Sequence, residues 1–198
     1  GKALERNPGS AEAWLRRGMV RAHAGNFAMS RGEDPGPIFA EAVADLSKAL
    51  ERNPASAEAW MRRGNVHVNW GIFKRSRGED PGPVYAEAIA DYGKALERNP
   101  AYAEAWAQRG NARASWGNFK GKQGEDPGAD YAGAVADFGK ALELNSASAE
   151  TWMYRGNVRS SWGGFKTRRG EDAGPVYAEA LADFGKALEL NPAYAEAR

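Results

Sequence analysis

The chain has 198 residues, with 27 basic against 26 acidic side chains and no cysteine. A charge so near neutral lacks the electrostatic footprint of a nucleic-acid binder, and the missing cysteines remove disulfide frameworks, thiolate catalysis and cysteine metal sites. No run approaches the roughly 18 apolar residues of a membrane span and Gly1-Lys2-Ala3-Leu4-Glu5-Arg6 does not form a signal peptide, so the sequence predicts a soluble segment without membrane insertion and leaves its compartment open.

The segment Lys-Ala-Leu-Glu recurs at Lys2, Lys48, Lys94, Lys140 and Lys186, each copy 46 residues after the last. A period of that length marks a stacked repeat array, in which each unit buries its apolar face on its neighbours. The repeats run 11–56, 57–102, 103–148 and 149–194, and the expectation is one domain over 1–198. Gly185 to Arg198 echoes Gly1 to Trp14, so both ends are expected to cut through a repeat.

In chain order through repeat 57–102, Ala57 to Trp70 is rich in helix formers and free of proline, and predicts a helix A that runs one turn further. Ser56 is its expected N-cap and Glu58 sits where the helix dipole favours a carboxylate; Tyr102 takes the serine's place before the next repeat. Arg77 to Pro83 is a cluster of breakers and predicts a loop. From Val84 to Glu97, Tyr85, Ala88, Ile89, Tyr92, Ala95 and Leu96 fall on one stripe, which predicts an amphipathic helix B ended by Asn99-Pro100. Two antiparallel helices per repeat make the fold class all-α.

Trp60, Gly64, Gly71, Ala88, Tyr92, Ala95 and Pro100 fall in the order and chemistry of the tetratricopeptide repeat, and the other three repeats carry the same series. The chain therefore resembles that family along its whole length. The resemblance implies a right-handed superhelical solenoid that works by binding other proteins. Two departures stand out. The family's unit is about 34 residues, so about twelve are added here, placed by the sequence between Gly71 and Pro83. Arginine replaces the family's frequent leucine at Arg17, Arg63, Arg109 and Arg155, and Ser146 replaces the terminal proline.

Asn65, Asn111 and Asn157 each follow the first glycine of helix A. By resemblance this position faces the concave groove, and an amide that both donates and accepts can pair with a peptide backbone. The expected binding groove for an extended peptide or protein segment comprises these three with Met61, Met153, Asn69, Ser115 and Ser161. A carboxylate clamp is disfavoured because Met61 and Glu104 stand where its lysines would be. Trp70, Trp116 and Trp162, with Phe27, Phe73, Phe119 and Phe165, read as packing for the lengthened helix. The four Glu-Asp pairs, such as Glu79-Asp80, read as loop and capping residues; too few oxygens stand together for calcium.

Catalysis finds little support, since His23 and His67 hold different repeat positions and no nucleophile motif accompanies them. The sequence thus predicts a non-enzymatic scaffold with no cofactor, no metal, a protein or peptide partner and no nucleic acid. The alternative is a structural array that self-assembles end to end, with Ala187, Leu188 and Tyr194 on the surface that would receive another unit.

Overall fold

The computed structural model describes residues 9–195. These form α1 (Ala11–Ser30), α2 (Gly36–Arg52), α3 (Ala57–Ser76), α4 (Gly82–Arg98), α5 (Ala103–Gln123), α6 (Gly128–Leu144), α7 (Ala149–Arg168) and α8 (Gly174–Leu190), then a 3-10 turn (Pro192–Ala195). Odd-numbered helices are the predicted A helices and even-numbered ones the B helices. The all-α helix-pair architecture expected from the sequence is therefore the observed one.

Local chemistry sets the helix starts. Ser10, Ser56 and Ser148 each accept the N–H three residues on, at 3.1 to 3.2 Å, and a glutamate occupies each first turn. Tyr102 provides no side-chain cap for α5. Each A helix passes through its second glycine and stops at another glycine in the left-handed region, Gly32, Gly78, Gly124 or Gly170, with φ between 72° and 82°. The Glu79 N–H then reaches back to the Lys74 carbonyl at 2.9 Å, closing the wide C-terminal ring that such a glycine permits.

The loop is shorter than the breakers suggest. It ends at Pro81, and Gly82-Pro83 form the first turn of α4 instead of preceding it. Proline costs nothing there, because the first N–H groups of a helix have no partner within it. The added residues thus mainly lengthen the two helices: most of 71–83 is helix, with only 77–81 as connection.

The A and B helices of one repeat meet through glycine and aromatic pairs. A Cβ on Gly64 would lie 2.8 Å from the Tyr92 ring, and one on Gly71 would lie 2.8 Å from the Tyr85 ring. Both tyrosines are fully buried. Two holes seven residues apart on α3 therefore receive two knobs seven residues apart on α4, which fixes the antiparallel register.

The chain divides into two compact units, one up to Pro100 and one from Ala101. In the first, α1 packs on α2, α3 on α4, and α2 on α3, around Phe39, Leu46, Leu50 and Val66 with Trp14 and Trp70 at the margin. In the second, α5 packs on α6, α7 on α8, and α6 on α7, around Tyr131, Phe138, Val158 and Phe165 with Trp162 beside them. The Trp70 ring stands 6.5 Å from Phe39, in keeping with a packing role for the second tryptophan series. No helix among the described residues is long and apolar enough to cross a membrane.

Candidate functional site

Beneath the exposed face of each A helix lies a charged network. Asp91 on α4 is 2% exposed, and Arg63 grips it with two bonds, Nε to Oδ2 at 3.0 Å and Nη2 to Oδ1 at 2.6 Å. The same pairing joins Arg17 to Asp45, Arg109 to Asp137 and Arg155 to Asp183. Each arginine also lies over the tryptophan three residues before it, 4.6 to 4.7 Å from the ring centre. A second basic side chain four residues on completes the set: Arg21, Arg113 or Arg159, and His67 in the second repeat, whose Nδ1 is 3.1 Å from Asp91. The planar guanidinium can stack and bind bidentately at once, which leucine cannot do. Burial by itself would raise the Asp45 carboxyl, but its bonds and proximity to Arg17 and Arg21 prevail and hold it below the ordinary range.

This network is the part of the site region that reading the sequence missed. Arginine at the leucine position is visible in the sequence; its partner lies on the other helix of the repeat. A signal existed: an aspartate inside the apolar stripe of helix B in every repeat, always 28 residues after the arginine.

The expected groove residues divide by environment. Between α1 and α3, Met19, His23, Asn26, Arg62, Asn65 and Asn69 line a depression of about 120 Å³. Here Asn69 donates to Asn26 at 2.9 Å, and the Tyr92 hydroxyl donates to Asn65 Oδ1 at 2.7 Å, so one lone pair of that oxygen is taken within the repeat. Between α5 and α7, Glu104, Gln108, Asn111, Glu150 and Tyr154 line a depression of about 200 Å³. Phenylalanine replaces Tyr92 in both repeats of this unit, at Phe138 and Phe184, and the side chains of Asn111 and Asn157 bond to no other described residue. Further along the same helix pair, Asn118, Lys122, Ser161 and Arg168 surround a third depression of about 400 Å³.

Asn157 is exposed, while Asn111, Ser115, Met153 and Ser161 are half-buried. Met61 is a correction: it has no exposed surface, because the apolar thioether packs beneath the face it was expected to line. Ala187 is likewise buried already, whereas Leu188 is 40% exposed and Tyr194 half-buried. The Tyr154 hydroxyl donates to Glu150 at 2.7 Å, and this bond, with burial and the carboxylate's charge, pushes the phenol up to about 12.

The Glu-Asp pairs are engaged within their own loops. Asp34, Asp80, Asp126 and Asp172 each accept the N–H two residues on at 2.8 to 2.9 Å, at the start of the following B helix. Glu79 and Glu171 meet Lys74 and Lys166 across the helix end.

Residues 39–77, from helix B of the first repeat to the end of helix A of the second, match the tetratricopeptide repeat family. The helix pairs share the tetratricopeptide fold. No curated protein matches the chain by sequence. Among solved structures, the chain is similar to MamA at 20% identity, covering 98% of this chain and 86% of that one with a TM-score of 0.60. It is also similar to MamA from Desulfovibrio magneticus, at 17% identity over 96% and 80% with a TM-score of 0.62. The tetratricopeptide domain of Arabidopsis OM64 matches at 21% identity over 75% and 98%, with a TM-score of 0.50. At these identities the likeness concerns the tetratricopeptide fold; the 20-residue A helix and 17-residue B helix of repeat 57–102 are features of this chain.

Proposed function

We propose that the chain is a non-enzymatic protein-interaction scaffold that holds an extended peptide or protein segment on the faces of its A helices. The observation that carries this reading is the pair of amides on Asn111 and Asn157. They occupy the same position in successive repeats, are left unbonded by their neighbours, and Asn111 lines a depression between α5 and α7. An extended segment lying along the groove between α5 and α7 can pair its backbone with such an amide, which offers both a donor and an acceptor. Asn65 and Asn69 offer the matching surface in the first unit. A peptide-library titration tests this: replacing Asn65, Asn111 and Asn157 together by alanine weakens capture of bound peptides, and unchanged capture removes the site. One domain spanning 1–198 is part of the same proposal, read out as one cooperative unfolding transition.

Self-association end to end is a second reading, favoured by α8. Its Tyr177, Leu181 and Leu188 are 38%, 71% and 40% exposed, although the residues at the repeat positions of Tyr177 and Leu188 are nearly buried elsewhere, as with Phe39 at 0% and Leu50 at 5%. Light scattering across a concentration range decides it: mass that climbs with concentration supports assembly, and a constant monomer rejects it.

A further inference from the structure

Charge on the A-helix face of the second unit is divided between its two ends. In the first unit the first-turn glutamates are matched internally, Glu12 with Arg16 at 2.5 Å and Glu58 with Arg62 at 3.5 Å. One repeat position for another, those arginines become Gln108 and Tyr154 in the second unit. Glu104 is left with no cationic partner among the described residues, and Glu150 has only the neutral Tyr154 hydroxyl. Both carboxylates border the depression that contains Asn111.

The opposite change occurs at the other end of the same helices. Ser30 and Ser76 end the A helices of the first unit, their hydroxyls bonded to the Phe27 and Phe73 carbonyls at 2.8 and 2.7 Å. The equivalent residues of the second unit are Lys122 and Arg168. Neither meets a carboxylate among the described residues, although Lys120, Lys166 and Arg169 beside them do. Both border the larger depression, with Asn118 and Ser161, over the side-chain-free Gly121 and Gly164. Acid at a helix start and base at its end suits the helix dipole. The dipole acts equally on the first unit, however, where the unpaired cation at the end of α3 among the described residues is Arg75, one position earlier at the place of Gly121. It does not account for two partners lost at one end and for cations standing at the Ser30 and Ser76 position at the other.

We propose that the second unit selects a dipolar peptide: a lysine or arginine side chain against Glu104 and Glu150, and an aspartate or glutamate side chain against Lys122 and Arg168. At about 1.5 Å of rise per residue Glu104 and Lys122 stand about 27 Å apart along α5, the span of about eight residues of extended chain. Complementary charge at both ends fixes the direction of the bound segment, while Asn111 meets its backbone between them.

This rests on the scaffold reading above, and the test separates the two. A fluorescein-labelled synthetic peptide carries a lysine pair and a glutamate pair separated by about eight glycine and serine residues. Its binding is followed by anisotropy beside lysine-only, glutamate-only and uncharged peptides of equal length. The dipolar peptide binds about tenfold more tightly than either singly charged peptide, and less tightly as salt rises. Glu104→Gln with Glu150→Gln reduces it to the affinity of the glutamate-only peptide; Lys122→Gln with Arg168→Gln reduces it to that of the lysine-only peptide. These side chains are on the surface, and an unchanged circular dichroism spectrum confirms that each variant is folded. Equal affinity for the charged and uncharged peptides overturns the charge selection and leaves the scaffold reading standing. Failure of the dipolar peptide to bind also overturns it, and the library titration with the asparagine variants then judges the scaffold reading separately.

Discussion

Asp91, 2% exposed between Arg63 and His67, is the residue whose loss carries the largest expected cost. Asp91→Ala strips the Arg63 guanidinium and the His67 ring of their acceptor and lowers stability by about 3 kcal/mol, measured by urea unfolding; Asp91→Leu combined with Arg63→Met costs less, since it removes both ions of the pair. The Asp45 carboxyl gives the pH dependence. Its folded value is lowered, so its contribution is complete above the unfolded value of about 3.9 and is lost as pH falls through the folded one. The urea midpoint therefore drops below about pH 4, and Asp45→Asn, less stable at neutral pH, shows a shallower drop. Glycines split by surroundings. Gly64→Ala destabilises by about 1 to 3 kcal/mol through the Tyr92 ring, whereas Gly185→Ala, with nothing within 4 Å, stabilises by up to about 1 kcal/mol. The sequence displays the arginines, the aspartates and the glycines, but contacts between residues 28 apart depend on helix register, which composition does not specify.

At the scale of elements, the ends of the helices were the most legible part. Ser56 caps α3 as its residue type demands, and Ser56→Ala lowers the thermal midpoint by an amount equivalent to about 1 kcal/mol, whereas Ser160→Ala on the exposed side of α7 has little effect. Asp80→Ala removes the acceptor of the Gly82 N–H and costs a similar amount. The misplaced boundary was the start of α4, where Gly82-Pro83 read as a breaker. Proline ends a helix where a carbonyl four residues upstream needs the N–H it lacks and meets its ring; at a first turn no such helical carbonyl exists, and the same ring is compatible with the helix. The groove was partly legible for a similar reason. Repeat position identifies the face that Asn111 and Asn157 share, but burial of Met61 and the bond from Tyr92 to Asn65 follow from neighbours on another helix.

For the whole molecule, the 46-residue period carried the fold class, since each copy supplies one amphipathic helix pair that buries its apolar face on a neighbour. Leu181→Lys tests the self-association reading at this scale: if α8 receives another copy, scattering mass at high concentration falls with the substitution. The buried ion pairs have a consequence for heredity. Each of the four buried aspartates finds its arginine inside its own repeat, 28 residues back. Gain or loss of one 46-residue period by unequal recombination of the gene therefore leaves no buried aspartate without its arginine.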